Sequence, residues 1–223
     1  MANFFCTSIG KKIIMSVTGL FLVLFLMLHL SLNLLTVIDS SGDLFNIVCK
    51  FMAENPLIYI MQYVLAAGFI IHIIYGSWLT WQNQKKRPVS YAVSTKTDVT
   101  WSSQNMWITG ALILGLLVLH LYNYFYKIKF TDLIDSGQMT EFDLVKSLFT
   151  VSNWPFSMLY VLWFIILGLH LNHSFQSGFQ TLGLNNQNWI KRLKWIGSIF
   201  AIIVAVGFSS ITIFFFLQSW INS

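Results

Sequence analysis

The sequence predicts an all-helical integral membrane protein with five spanning helices. Of its 223 residues, 56% are hydrophobic and 9% are charged, and the mean hydropathy is +0.68. Soluble domains carry about 25% charged residues, so this chain has too few charged residues for a surface that faces water. Five apolar segments each reach the roughly 20 residues that a helix needs to cross a bilayer, at residues 13–37, 57–81, 106–126, 155–176 and 195–217. We expect residues 1–223 to form one transmembrane domain.

The ends of these segments carry recognisable helix signals. The first span follows Lys11 and Lys12, as in a signal peptide, but it has no small-x-small cleavage site and is interpreted as a retained span. Pro56 and Pro155 stand at the starts of the second and fourth spans, where the first helical turn tolerates proline. The polar segment between the third and fourth spans predicts a short amphipathic helix on the outer surface, at residues 143–150.

The charges between the spans predict the topology. Nine basic residues fall on the side of the N-terminus and four on the other side, which also holds seven of the eight acids. Cytoplasmic loops carry the excess of lysine and arginine, so we expect a cytoplasmic N-terminus and an external C-terminus. The net charge of +5 is scattered between apolar segments and does not indicate nucleic-acid binding. Cys6 and Cys49 fit no CxxC or CxxCH pattern, so they do not indicate a disulfide framework, a zinc site or covalently attached haem.

Five histidines lie in the first four spans. An ionisable side chain at membrane depth is a functional hypothesis by default. A rise of about 1.5 Å per residue predicts two levels separated by roughly 15 Å along the membrane normal, with His173 a further turn inward. One level holds His29 and His120, and the other holds His72 and His170. Facing histidines in an apolar bundle are what bis-imidazole ligation of b-type haem requires, although an isolated histidine can also serve as an interhelical hydrogen bonder.

Several stretches resemble one family of membrane cytochromes. Residues 16–29 (SVTGLFLVLFLMLH) are similar to the first helix of the di-haem cytochrome b subunit of succinate:quinone oxidoreductases and quinol:fumarate reductases. Thr109-Gly110 with the later His120-Leu121-Tyr122 resembles its third helix, and His170 followed by Gly183 resembles the end of its fourth. Residues 51–57 (FMAENPL) resemble the lead into its second helix. The resemblance covers nearly the whole chain and is to the five-helix, single-subunit bacterial type, which implies a place in a bacterial cytoplasmic membrane.

The resemblance implies a non-flavin subunit of succinate dehydrogenase that passes electrons to menaquinone. It implies two b haems, with His72 and His170 on the haem proximal to the partner subunits and His29 and His120 on the distal haem. A flavoprotein with FAD and an iron–sulfur subunit with its clusters would dock on the cytoplasmic face, against basic loops at residues 85–96 and 191–194.

The resemblance also assigns roles to individual side chains. Glu54 is the candidate proton carrier at a quinone site near the distal haem, and Ser16 is the candidate partner of a haem propionate. The family carries a basic side chain eleven residues after the fourth ligand, where this chain has Thr181. A supporting role near a propionate therefore falls to one of four nearby residues: His173, Lys191, Arg192 or Lys194.

Three alternatives stay open. The complex could work as a quinol:fumarate reductase in the reverse direction. The chain could anchor another di-haem oxidoreductase, such as a formate dehydrogenase or a hydrogenase. A haem-free transporter or structural anchor is the third, but the inverted repeats and broken midplane helices typical of transporters are not evident in the sequence.

Overall fold

The structure is a computed structural model that describes residues 7–85, 104–184 and 186–223. Within these ranges the chain is helical and has no strand. The α-helices are α1 (Ser8–Asn33), α2 (Leu35–Ile38), α3 (Asp43–Glu54), α4 (Pro56–Lys85), α5 (Met106–His120), α6 (Lys127–Phe130), α7 (Glu141–Leu148), α8 (Trp154–Thr181) and α9 (Gln187–Ile221). A π-helical segment, Leu121–Tyr126, joins α5 to α6, and a 3₁₀ turn, Val151–Asn153, leads into α8.

Among the described residues, five helical stretches are long and apolar enough to cross a membrane, which confirms the predicted number of spans. They are Ser8–Ile38, Pro56–Lys85, Met106–Phe130, Val151–Thr181 and Gln187–Ile221. A helix of 30 residues is about 45 Å long, whereas the hydrocarbon core is about 30 Å thick. The helices therefore extend past the apolar segments into their charged flanks. Polar caps support their ends, as where the Thr7 hydroxyl accepts from the Gly10 amide.

Helix α1 lies near the centre of the bundle. It packs against α4 and α8 and also contacts α9, while α8 packs against α5 and most extensively against α9. The close approach of α8 to α9 depends on Gly168, since a Cβ there would lie 3.0 Å from the Cβ of Ala205 and 3.3 Å from the carbonyl oxygen of Ala201. Close backbone approach at small residues is how membrane helices associate without a hydrophobic driving force.

Two short amphipathic helices cover one end of the bundle, which we call the Glu141 end; the opposite end is the Lys11 end. Helix α7 begins with a capping box between Thr140 and Asp143 and lies within two residues of the predicted helix at 143–150. Helix α3 was not predicted, because its 12 residues are too few for a span and the prediction rested on apolar length. The side-chain oxygen of Asn46 on α3 accepts from the amide of Phe142 on α7 at 3.1 Å, which ties the two helices together.

Candidate cofactor-binding site

His29 and His120 meet inside the bundle. They come from α1 and from the last residue of α5, and their ring centroids are 5.9 Å apart with perpendicular planes. Directly after His120 the helix changes to the π-helical segment, a local widening that is common at functional sites. Metal–imidazole nitrogen bonds are about 2 Å long, which puts the centres of two rings on opposite sides of one metal about 6 Å apart. The observed separation fits two axial ligands of one iron.

Aromatic side chains enclose this pair. Phe25 stacks on His29 at 5.1 Å, and Phe208 of α9 approaches the same ring at 5.7 Å. Tyr124 and Trp163 lie 5.1 and 5.6 Å from His120. In the described part of the chain, Nδ1 of His120 is buried without a hydrogen-bond partner. Buried polar atoms are normally satisfied, so this orphan nitrogen and the two-imidazole donor set fit a site for a metal-bearing group.

His72 and His170 form the second group, nearer the Lys11 end. Nδ1 of His72 lies 3.4 Å from the Thr18 hydroxyl of α1, and Nδ1 of His170 lies 3.1 Å from the Thr109 hydroxyl of α5. The two imidazoles are within electrostatic range of each other. Each ring also lies against a glycine, since a Cβ on Gly19 would be 3.3 Å from His72 Cε1 and one on Gly110 would be 3.6 Å from His170 Cε1.

Sequence reasoning missed the roles of Thr18 and Thr109. The signal that could have found them is a spacing that occurs twice, Thr-Gly-x9-His, in Thr18–His29 and again in Thr109–His120. Eleven residues are close to three helical turns, so the threonine and the histidine of each copy lie on one helix face. Threonine is common as an ordinary packing residue in membrane helices, which made each copy uninformative by itself.

The remaining predicted site residues lie at both ends. His173 is half-buried one turn from His170, and Ser16 is buried on α1. Glu54 does not reach the histidines; its side chain is 69% exposed and pairs with Lys50 at 4.0 Å. Arg192 lies over the ring of Trp189 at 5.5 Å near the start of α9, and the Thr181 hydroxyl donates to the Ser177 carbonyl at 2.9 Å.

A cavity of about 260 Å³ opens at the Glu141 end. Its lining is largely apolar, with a few polar side chains: Cys49, Met52, Ala53, Ile58, Tyr59, Gln62, Phe125, Ile128, Lys129 and Glu141. One lining residue, Phe125, directly follows Tyr124, the ring that contacts His120, so the cavity and the His29–His120 pair share the π-helical segment. Burial, together with the charge of Glu141, raises the pKa of the Cys49 thiol to about 12, so this thiol stays neutral at physiological pH. An apolar cavity with a few convergent polar groups is typical of a small-molecule site.

Searches against protein-family models, curated proteins and solved structures gave no match for this chain. The function therefore has to be argued from the geometry of the histidines and of the adjoining cavity.

Proposed function

We propose that this chain is the di-haem cytochrome b membrane anchor of a succinate:menaquinone oxidoreductase. The observation that carries the proposal is the pairing of His29 with His120 at 5.9 Å across two spanning helices. A second group, His72 and His170, supports it, because four consecutive spans then each supply one imidazole at one of two levels.

Different histidines would hold each of the two haems. His29 and His120 would ligate the iron of one haem, and His72 and His170 the iron of the other; bound haem supplies reversible one-electron chemistry. Phe25, Phe208, Tyr124 and Trp163 exclude water around the first pair and so preserve a low-dielectric surrounding. At the Lys11 end the side chains suited to propionates are Ser16, His173, Lys191, Arg192 and Lys194.

The cavity at the Glu141 end is the proposed quinone site. A menaquinone ring is apolar with two carbonyl acceptors, and the lining offers Tyr59 and Phe125 for the ring and Gln62 and Lys129 as donors. Quinone reduction takes up protons, which a carboxylate at the membrane edge can deliver. Glu141 lines the cavity, whereas Glu54 stands beside it through its neighbour Ala53 and faces solvent. Both carboxylates are candidates for proton transfer.

The partner subunits would dock at the Lys11 end. We propose a flavoprotein and an iron–sulfur protein there, attracted by Lys191, Arg192 and Lys194 at the start of α9. The other basic stretch assigned to docking includes Lys86, Arg87 and Lys96, which lie outside the described residues. Electrons would enter at the His72–His170 level and leave at the His29–His120 level, beside the cavity.

Purification of the full chain from membranes of its host tests the proposal. We expect a b-type band in the reduced-minus-oxidised spectrum, two haems per chain, and co-purification of a flavin-containing enzyme that reduces menaquinone with succinate. Co-purification with a molybdenum or nickel enzyme would instead identify another di-haem oxidoreductase. A chain without any b-type absorption would end the proposal and leave the haem-free anchor. The rates in the two directions distinguish succinate oxidation from fumarate reduction.

A further inference from the structure

We infer that Thr18 and Thr109 are positioning residues that fix the tautomer of His72 and His170, so that each ring carries its proton on Nδ1 and directs the lone pair of Nε2 to the iron. The inference rests on the proposed function, because it concerns haem ligation. It goes beyond that function in naming two side chains that tune one haem and not the other.

The hydroxyl protons of both threonines are already engaged within their own helices. Thr18 Oγ1 lies 2.8 Å from the carbonyl oxygen of Ile14 and 3.1 Å from that of Met15. Thr109 Oγ1 lies 3.2 Å from the carbonyl oxygen of Asn105 and 3.0 Å from that of Met106. A hydroxyl has one proton and two lone pairs. Toward the imidazole each hydroxyl can therefore only accept, which requires a proton on Nδ1.

A neutral imidazole has one N–H and one bare nitrogen. With the proton of His72 and His170 held on Nδ1, the bare nitrogen is Nε2, the atom farther from the backbone. The second ring nitrogen of a metal-bound histidine usually donates in this way, and the partner fixes the ring orientation and raises the basicity of the ligand. Gly19 and Gly110 let the two rings lie against the backbone beside these hydroxyls.

The other histidine pair has no such hydroxyls. Nδ1 of His29 lies 3.4 Å from the amide nitrogen of Asn33, which is a donor, and that amide also donates to the carbonyl of His29 at 2.8 Å. Nδ1 of His120 has no partner among the described residues. The two threonine acceptors therefore occur only at the His72–His170 level, although they lie on different helices.

A more basic imidazole stabilises ferric over ferrous iron, so losing the acceptor should raise the reduction potential. We expect Thr18→Val and Thr109→Val each to raise the midpoint potential of one haem, the same haem in both variants. The double variant should raise it further, and the potential of the other haem should not change. The measurement is an optical redox titration of the purified full chain, with haem content and circular dichroism recorded for each protein.

The controls separate the effect of losing the hydroxyl from the effect of changing the shape of the side chain. Thr18→Ser and Thr109→Ser keep the acceptor and should titrate like the wild type. Thr212→Val makes the same change at a buried threonine of α9 whose hydroxyl has no partner in the described part of the chain, and both potentials should stay in place.

The outcomes distinguish this inference from the proposed function. Unchanged potentials in both valine variants, with two haems bound, would overturn the inference alone, as would shifts in two different haems. Loss of one haem from a valine variant and its return in the matching serine variant would support the inference, since only the hydroxyl differs in acceptor capacity. Equal loss from the valine and serine variants would overturn it. Absence of haem from the wild-type chain would overturn both.

Discussion

At the residue scale, α8 offers two histidines one turn apart, and their surroundings differ. His170 lies beside the Thr109 hydroxyl at 3.1 Å and against Gly110, so two contacts from α5 hold its ring. His173 is half-buried and lies within electrostatic range of His170, on the side of the Lys11 end. A ligand needs a fixed orientation, which points to His170 as the axial residue and leaves His173 a supporting position.

We therefore expect His170→Ala to lower the haem content of the purified chain by about half, because one of two sites loses an axial ligand. His173→Ala should keep both haems. The haem-to-protein ratio and the reduced-minus-oxidised spectrum measure this directly, and His29→Ala should remove the other haem signal. Retention of both haems in His170→Ala with loss of one in His173→Ala would reverse the assignment.

Cys49 gives a second prediction at this scale. The pKa of its thiol is raised to about 12, first by burial and then by the charge of Glu141. At pH 8 the thiolate fraction is then roughly a thousandfold below that of a free cysteine. In a Cys6→Ser background we expect slow alkylation of Cys49, with a rate that rises with pH well above pH 9.

Replacing Glu141 by Gln should lower the pKa of Cys49 and speed its alkylation, while burial keeps the rate below that of the unfolded chain. Glu54→Gln is the matched control, since Glu54 is exposed and contributes nothing to this pKa. Alkylation of native Cys49 at the rate of free cysteine would show that the thiol is not held in this environment.

At the element scale, the spans could be predicted and several local features could not. Uninterrupted apolar length is a strong signal, so five spans followed from hydropathy alone. Helix α3 is amphipathic but only 12 residues long, so a prediction based on uninterrupted apolar length does not find it. The π-helical segment begins directly after His120, where Tyr124 packs on that ring, and no residue pattern predicted it. The roles of Thr18 and Thr109 emerged only when four helices were assembled.

At the same scale, the two candidate carboxylates have different surroundings. Glu54 was the residue favoured by the resemblance, but it lies at the end of α3 and pairs with Lys50 in solvent. Glu141 is the first residue of α7, which brings it over the cavity. Position along the chain could not predict this, because Glu141 reaches the cavity through the packing of α7 on α3.

We expect Glu141→Gln to lower menaquinone reduction by about 100-fold, the usual scale for loss of a general acid or base, with both haems retained. Glu54→Gln should change the rate by less than about threefold, since exposed surface pairs contribute little. Steady-state turnover of succinate with a soluble menaquinone analogue measures both. A large loss of menaquinone reduction in Glu54→Gln, with a normal rate in Glu141→Gln, would favour Glu54, the residue assigned by the resemblance. It would also argue against a quinone in this cavity.

At the scale of the whole molecule, the chain repeats one helix pair. Helices α1 and α4 carry Thr18, His29 and His72, and α5 and α8 carry the corresponding Thr109, His120 and His170. In each pair the first helix supplies a threonine for the histidine of the second helix and places its own histidine three turns away. Helix α9 bears no histidine and packs on α8 and α1, where Phe208 closes one side of His29. The arrangement explains why two levels of paired histidines arise from four consecutive spans.

The direction of this bundle in the membrane follows from charge. The loops and tail at the Lys11 end carry nine of the thirteen basic residues, and the Glu141 end carries seven of the eight acids. By the positive-inside rule we expect the Lys11 end to face the cytoplasm, which would put the proposed docking surface inside and the cavity outside. Three exposed positions report on this: Ser136 and Ser223 at the Glu141 end and Gln187 at the Lys11 end. In a chain without Cys6 and Cys49, we expect an impermeant maleimide to label Ser136→Cys and Ser223→Cys in intact cells, and Gln187→Cys only after permeabilisation. Labelling of Gln187→Cys alone in intact cells would show that the bundle has the opposite orientation. The basic start of α9 could then not bind a cytoplasmic iron–sulfur partner.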